Sequence, residues 1–274
     1  MPISSKRRNY LIYINYNMKK LQKDSLGDRM KVYEGVTKLF LMKRTPIIIR
    51  LDGKAFHTFT RGFDKPHDDV IRECMNYTML SLCENTQGVR LGYTQSDEIS
   101  LLITDYKEIN TDVLLKYNIQ KIVSTLASQA SNYFNKSLMS QLKSVDESKK
   151  VLINKKLFKA AFDCRVFNIP KDDVCSYFLW RQQDATRNSI SGYGQKYFSQ
   201  KELNGLKSNQ IQEKLFTEKG INWNNIPTSL KRGSCCVKKL SKWFIDKEIP
   251  IFSQDRNYID SEVYYEIEGD LDND

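Results

Sequence analysis

A chain of 274 residues can bury one substantial core or one domain with a large appendage, and it is too short for three domains. With 40% hydrophobic and 28% charged residues it is too apolar for a disordered chain, and no stretch approaches eighteen uninterrupted apolar residues, so no membrane span is expected. The formal net charge of +10 suits a polyanionic partner, because Lys and Arg contacts to phosphates release counterions; it equally suits a solvated basic surface.

The charge is unevenly placed. Lys6, Arg7, Arg8, Lys19, Lys20 and Lys23 all precede the first acidic residue, Asp24, and without them the net charge falls to +4. Residues 1–23 therefore read as an addition to the body of the protein, either an organellar targeting segment or a disordered or RNA-touching tail. The six cysteines, at 74, 83, 164, 175, 235 and 236, have no C-x-x-C spacing and no secretory signal before them, which points to reduced, incidental thiols. With only His57 and His67 to add, a zinc site is not expected.

Ile47, Ile48, Ile49 and Leu51 form an apolar run that predicts a buried strand ending at Asp52-Gly53. Lys65-Pro66 is expected to open a helix, with Asp68 and Asp69 near its positive end and Val70, Ile71, Cys74, Met75, Thr78 and Leu82 on one face, until Gly88 ends it. Val89–Tyr93 and Ile99–Ile103 read as strands joined across Thr94-Gln95-Ser96-Asp97-Glu98. A long helix carries Ile119, Ile122, Val123, Leu126, Ala127, Ala130 and Phe134, and residues 137–156, polar and without period, read mostly as an exposed loop.

Phe162–Ile169 predicts a fourth strand closed by Pro170, and Asp172 or Asp173 can cap a helix that carries Val174, Tyr177, Phe178 and Trp180 towards Arg187. Strand, helix, strand, strand, helix, strand is the βαββαβ order of a ferredoxin-like α+β fold, with helices on one face of an antiparallel sheet. Beyond it the expected elements are a helix at Gln210–Lys219, a strand at Cys235–Val237 and an acidic tail. The expected organisation is an extension over 1–23, a palm-like core over 24–190, and an elaboration over 191–274 packed on that core.

Asp52 ends a buried strand and Asp97-Glu98 sit at the mouth of a hairpin. If those strands are adjacent in an antiparallel sheet, the carboxylates converge on one edge, and the usual remedy for their repulsion is a divalent cation such as magnesium. Two ions about 3.5–4 Å apart can activate a hydroxyl and stabilise a leaving pyrophosphate in one in-line displacement. Gly53, lacking a side chain, can bring its carbonyl to a metal or its amide to a phosphate. Taken singly, Asp52-Gly53 can equally be a plain turn and Asp97-Glu98 a solvated pair.

Arg50-Leu51-Asp52-Gly53-Lys54-Ala55-Phe56-His57, Phe63-Asp64-Lys65-Pro66 and Gly92-Tyr93-Thr94-Gln95-Ser96-Asp97-Glu98-Ile99-Ser100 together resemble the tRNA-His guanylyltransferase superfamily. The resemblance runs from about Leu26 to Phe252 and takes in Phe162-Asp163-Cys164-Arg165, Trp180-Arg181-Gln182-Gln183-Asp184 and Arg232-Gly233. It implies a palm like that of ordinary polymerases, used in reverse to add nucleotides to the 5′ end of RNA.

By that resemblance Asp52 and Asp97, with the Gly53 carbonyl, match the ligands of two Mg2+ ions, and Glu98 matches an acid at the metal or just behind it. Lys65 and Ser96 match triphosphate contacts, and His57 and Asp68 match positions around an activating ATP or GTP. Lys54, Ala55 and Phe56 fall in the same nucleotide-binding stretch. Arg50 can face a phosphate or only balance the acids, and Lys121 and Asn188 are further phosphate candidates. The partners implied are tRNA and nucleoside triphosphates, in a homotetramer.

Eukaryotic guanylyltransferases carry His-Ile-Asn-Asn-Leu-Tyr-Asn after the Trp-Arg-Gln helix, where this chain has Thr186-Arg187-Asn188-Ser189-Ile190-Ser191-Gly192. The departure moves the expectation from strict addition of G to tRNA-His towards the guanylyltransferase-like branch, which repairs truncated tRNA 5′ ends by copying the facing strand. Strict guanylylation, a nucleotide cyclase and a non-catalytic RNA-binding module are the alternatives. A mitochondrial location is expected from residues 1–23, with the cytoplasm as the alternative.

Overall fold

The computed structural model describes residues 25–106 and 114–264. The N-terminal extension, residues 1–23, lies outside the described residues, as does the acidic tail from residue 265. The chain divides into two compact units, Met1–Leu39 and Phe40–Asp274. In the first, helix α1 (Leu26–Gly35) is capped by the Ser25 side chain, which accepts from the Asp28 amide, and buries none of its residues.

The second unit is built on a six-stranded antiparallel sheet of β1 (Ile47–Gly53), β2 (Val89–Gln95), β3 (Glu98–Ile103), β4 (Phe162–Asn168), β5 (Ser234–Lys239) and β6 (Lys242–Asp246), in the order β4-β1-β3-β2-β5-β6. Between β1 and β2 lie the single turn α2 (Phe56–Phe59) and the helix α3 (Asp69–Asn85), and between β3 and β4 lie α4 (Ile119–Gln141) and α5 (Glu147–Lys156). After β4 come α6 (Val174–Tyr197), α7 (Gln200–Leu203), α8 (Ser208–Lys219) and α9 (Thr228–Arg232), and α10 (Asn257–Val263) follows β6.

β1 lies inside the sheet, and its first half, Ile47-Ile48-Ile49, is apolar on both sides, as expected of a strand covered on both faces, before Arg50 and Asp52 follow on one of them. Ile47, Ile49 and Leu51 pack with Ile99, Leu101 and Ile103 against Met75, Met79 and Leu82 of α3 and Ile122, Leu126 and Phe134 of α4. Ile48, Leu91, Tyr93 and Leu102 pack on the opposite face against Val174 and Phe178 of α6, Phe252, and Ile259 of α10. The expected placement of helices on one face thus holds for α3 and α4 only; α6 and α10 cover the other face and make three layers. A third cluster joins Ile190 of α6 to Leu203, Ile211, Leu215 and Trp223.

Three local expectations are corrected. Pro66 does not open a helix: it sits in a loop behind a cis Lys65-Pro66 bond, and α3 begins at Asp69 with Asp68 as its cap, its carboxylate accepting from the Val70 and Ile71 amides. Residues 137–156 are mostly helical, as the end of α4 and all of α5, which is capped by Asp146 and buries only Ile153. On α6 the residue turned inwards is Arg181, 3% exposed, while Trp180 is 49% exposed. The turn is set by Val174, Phe178, Arg181 and Ala185, which share one helical stripe and are all buried.

Candidate active site

β1 pairs with β3 in a register that sets Ile47 opposite Ile103 and Asp52 opposite Glu98, and with β4 so that Asp52 faces Asp163. Because side chains alternate along a strand, Arg50, Asp52, Glu98 and Arg165 share the α6 face of the sheet. β2 and β3 are joined by the two-residue turn Ser96-Asp97, in which Ser96 takes a left-handed φ of 51°. The turn folds back on the end of β1, where the Gly53 amide donates to the Asp97 carbonyl at 3.0 Å. That hydrogen bond brings Asp52 and Asp97 to the same edge.

The electrostatics of this edge are uneven. Burial, assisted by the nearby Asp52 carboxylate, pushes the Asp97 carboxyl above the usual carboxylate range, although the Ser96 hydroxyl donates to it at 3.0 Å. Among the described residues Asp52 has only loose cationic company, Arg50 at 3.7 Å and Arg165 at 4.0 Å. Two partly shielded carboxylates beside a strand-end carbonyl are a hard-oxygen donor set, which fits a magnesium-type ion that completes its shell with water or phosphate oxygens. Among the described residues no cluster of three or more His, Cys, Asp or Glu side chains is arranged to hold a metal.

Glu98 lies behind this pair and is buried. One carboxylate oxygen receives Arg50 at 2.7 Å and Arg181 at 3.0 Å, and the other has no hydrogen bond among the described residues. Burial raises its carboxyl, and the two guanidinium groups oppose the rise. Arg50 is thus paired with the acids of the site. Arg181 also reaches Asp184 at 3.3 Å and stacks its guanidinium 3.5 Å from the centre of the Trp180 ring, and a Ser100–Tyr177 hydrogen bond of 2.8 Å fastens α6 to the sheet.

The turn after β1 carries the predicted nucleotide-binding stretch. A Cβ on Gly53 would lie 2.3 Å from the Phe56 ring, so the tight turn requires glycine there. Phe56 is not an available contact: it is 3% exposed and packs on Phe59, Phe134 and Phe162. The Lys54 amide is spent on the Ala161 carbonyl at 2.8 Å, whereas its side chain is exposed. Ala55 has a left-handed φ of 54°, and the amides of Ala55, Phe56 and His57 have no acceptor among the described residues, which leaves them open to phosphate oxygens. The His57 side chain is exposed beside them.

Of the outlying candidates, Lys65 and Ser96 are exposed and Lys65 makes no ion pair among the described residues. Asp68 is buried and committed: it caps α3, accepts the Asp64 amide at 3.0 Å and pairs with Lys149, so it is a loop-building residue and not a free contact to a nucleotide. Lys121 is displaced from the site altogether. It begins α4 just after Tyr117, whose hydroxyl donates to Asp105 at 2.6 Å, and so lies at the Ile47–Ile103 end of the sheet, a strand length of roughly 20 Å from Asp52. Asn188 is exposed on α6 between Arg181, which meets Glu98, and Gly192, which packs on Pro66.

Arg181, Arg165 and Lys149 are not among the site residues expected from the sequence. Arg181 did carry a signal, a charge at the spacing of an apolar helical stripe, which demands a buried partner. Lys149 carried none.

The family profile described as "Thg1: tRNAHis guanylyltransferase" matches residues 27–170, more than half of the chain. The chain belongs to this family. A relative in Acanthamoeba polyphaga mimivirus, described only as uncharacterized protein R259, is 30% identical over 233 residues, 80% of this chain and 79% of its own length. A bacterial tRNA(His) guanylyltransferase (Thg1)-like protein solved in complex with ATP superposes with a TM-score of 0.80 at 44% identity, covering 88% of this chain and all of its own. A second such bacterial structure, in complex with GTP, gives 0.72 at 38% identity with the same coverage. The family match ends at Pro170, so all of α6, β5 and β6 lie beyond it, whereas the site edge from Asp52 to Asp163 lies within it.

Proposed function

We propose that this chain is a metal-dependent nucleotidyltransferase that extends the 5′ end of tRNA in the 3′-to-5′ direction, copying the opposing strand. The observation that carries the proposal is the Gly53–Asp97 backbone hydrogen bond, which brings the chain segments that bear Asp52 and Asp97 to one end of the sheet, where Asp52 is near enough to help raise the Asp97 carboxyl. The order β4-β1-β3-β2 with α3 and α4 on one face supports a ferredoxin-like palm beneath that edge.

In the proposed reaction the RNA 5′-monophosphate joins the α-phosphate of ATP or GTP with loss of pyrophosphate. The 3′-hydroxyl of the incoming nucleotide then attacks the activated 5′ phosphate and releases the nucleoside monophosphate. Asp52, Asp97 and the Gly53 carbonyl would hold Mg2+, which when bound supplies hydroxyl activation and charge neutralisation at the leaving group. Lys65, Ser96 and the open amides of Ala55, Phe56 and His57 meet the triphosphate. Arg50 and Arg181, by clamping Glu98, hold the β2–β3 turn at the height at which Asp97 faces Asp52.

Template-dependent repair is favoured over strict guanylylation by residues 186–192, which lack the His-Ile-Asn-Asn-Leu-Tyr-Asn motif, and by 44% identity to a protein described as Thg1-like. The deciding experiment incubates a tRNA lacking its first 5′ nucleotide with each nucleoside triphosphate in turn, while the facing base is varied. C added opposite G and G opposite C is the expected result; G added whatever base it faces would return the assignment to strict guanylylation. The family resemblance extends the proposal to a homotetramer, which sedimentation equilibrium measures.

A further inference from the structure

The loop that carries Lys65 is held from two sides. From α5, the Lys149 ammonium reaches Asp64 at 2.7 Å and also pairs with the buried Asp68. Asp68 in turn accepts the Asp64 amide and caps α3, so one carboxylate closes the loop and starts the helix. From α6, Gly192 lies against Pro66, where a Cβ would come within 2.7 Å of the proline side chain, and the Tyr193 ring lies 5.7 Å from that of His67. Between these fixed neighbours Lys65 is exposed and makes no ion pair among the described residues. Lys149 belongs to a helix with one buried residue, and its side chain, over the Phe63 ring at 5.9 Å, ties that helix to the loop.

We infer that Lys149 is a positioning residue for nucleotide binding: its two ion pairs hold the 64–68 loop so that Lys65 is presented, already ordered, to the triphosphate. The inference rests on the triphosphate role proposed for Lys65. A lysine whose neighbours are fixed loses less freedom on meeting a phosphate than one on a mobile loop, so the gain falls on substrate affinity and not on the chemical step. The pairing with the two acids has a second effect. Lys149 offsets one of their two negative charges, so that with Lys65 the four groups sum to zero, whereas without Lys149 the loop would be net negative and would repel an anionic ligand.

The test compares KM for GTP and kcat in wild type and in the Lys65→Ala, Lys149→Met, Lys149→Arg and Lys65→Ala/Lys149→Met proteins, with thermal unfolding measured for each. Lys149→Met is expected to raise KM roughly tenfold with kcat within about twofold, Lys149→Arg to restore most of the affinity, and the double variant to match Lys65→Ala, because coupled residues are non-additive. If Lys65→Ala raises KM and Lys149→Met does not, or if the two effects add in full, the positioning role is overturned while the triphosphate role of Lys65 stands. If Lys65→Ala leaves KM unchanged, the triphosphate role falls and the inference falls with it. Should Lys149→Met fail to fold, Asp64→Asn decides, since it removes only the exposed arm: a KM raised severalfold supports the role and an unchanged KM overturns it.

Discussion

The Gly53 amide donates to the Asp97 carbonyl at 3.0 Å, joining the last residue of β1 to the turn between β2 and β3. The bond lies between backbone groups, so it survives replacement of either acidic side chain. The geometry of the edge can therefore be separated from its charge.

Asp52→Ala and Asp97→Ala are expected to lower nucleotide addition by on the order of 10³-fold each, the equivalent of several kcal/mol of lost charge stabilisation in the transition state. Circular dichroism should show an unchanged fold. Gly53→Ala should act differently, keeping both carboxylates but destabilising the protein by about 1–3 kcal/mol in urea, because the new methyl collides with Phe56. Near-normal addition by either aspartate variant with magnesium present would remove the carboxylates from the mechanism.

Asp97 yields a prediction of opposite sign for stability and for activity. Its carboxyl is raised in the fold, chiefly by burial, so the folded state holds that proton more tightly than the unfolded one. Its contribution to stability is then present at acid pH and is lost as pH rises through the folded pKa, which leaves the ionised group destabilising at neutral pH. Asp97→Asn should raise Tm at pH 7 in the presence of a chelator, where each kcal/mol is worth roughly 2–4 °C in a chain of this size, while abolishing addition. The gain in Tm should shrink as pH is lowered, and an Asp97→Asn protein less stable than wild type at pH 7 would contradict it.

Arg181 is 3% exposed and shares the Glu98 carboxylate with Arg50. Arg181→Met leaves a buried carboxylate with half its cationic company, and breaking such a pair costs about 3 kcal/mol or more. By contrast Lys247→Met, which breaks the half-exposed pair with Glu73, should cost less than about 1 kcal/mol. Urea unfolding of the two variants measures the difference directly.

For residues 1–23 we propose mitochondrial targeting. A chain beginning near Asp24 should keep full activity and RNA affinity in the tube, while a fluorescent fusion of it stays in the cytosol and the full-length fusion enters mitochondria. If instead both fusions stay in the cytosol and the shorter chain loses RNA affinity and salt dependence, by roughly one unit of slope per phosphate contact, the segment is an RNA arm.

The amino-acid sequence by itself determined the elements whose residues are buried by their own periodicity. Ile47-Ile48-Ile49-Leu51 has no polar side because both faces of β1 are covered, and α4 keeps its stripe from Ile122 to Phe134 because one face meets the sheet. Asp52 and Asp97 stood out as acids at the ends of strand-like runs, whereas Lys65 and Ser96 were marked only by the family resemblance. What contacts between distant residues decide was not legible. Helix α5 has one buried side chain and is fastened by Lys149 to acids 81 and 85 positions away, so no local pattern announces it. Asp68 became a buried cap and Lys121 fell at the far end of the sheet for the same reason: a side chain's role depends on which end of which strand its neighbours reach, and that is set by strand order and register. Arg181 lies between these cases, since its spacing marks it as buried while only the packing of α6 on the sheet supplies Glu98 as the carboxylate that makes burial tolerable.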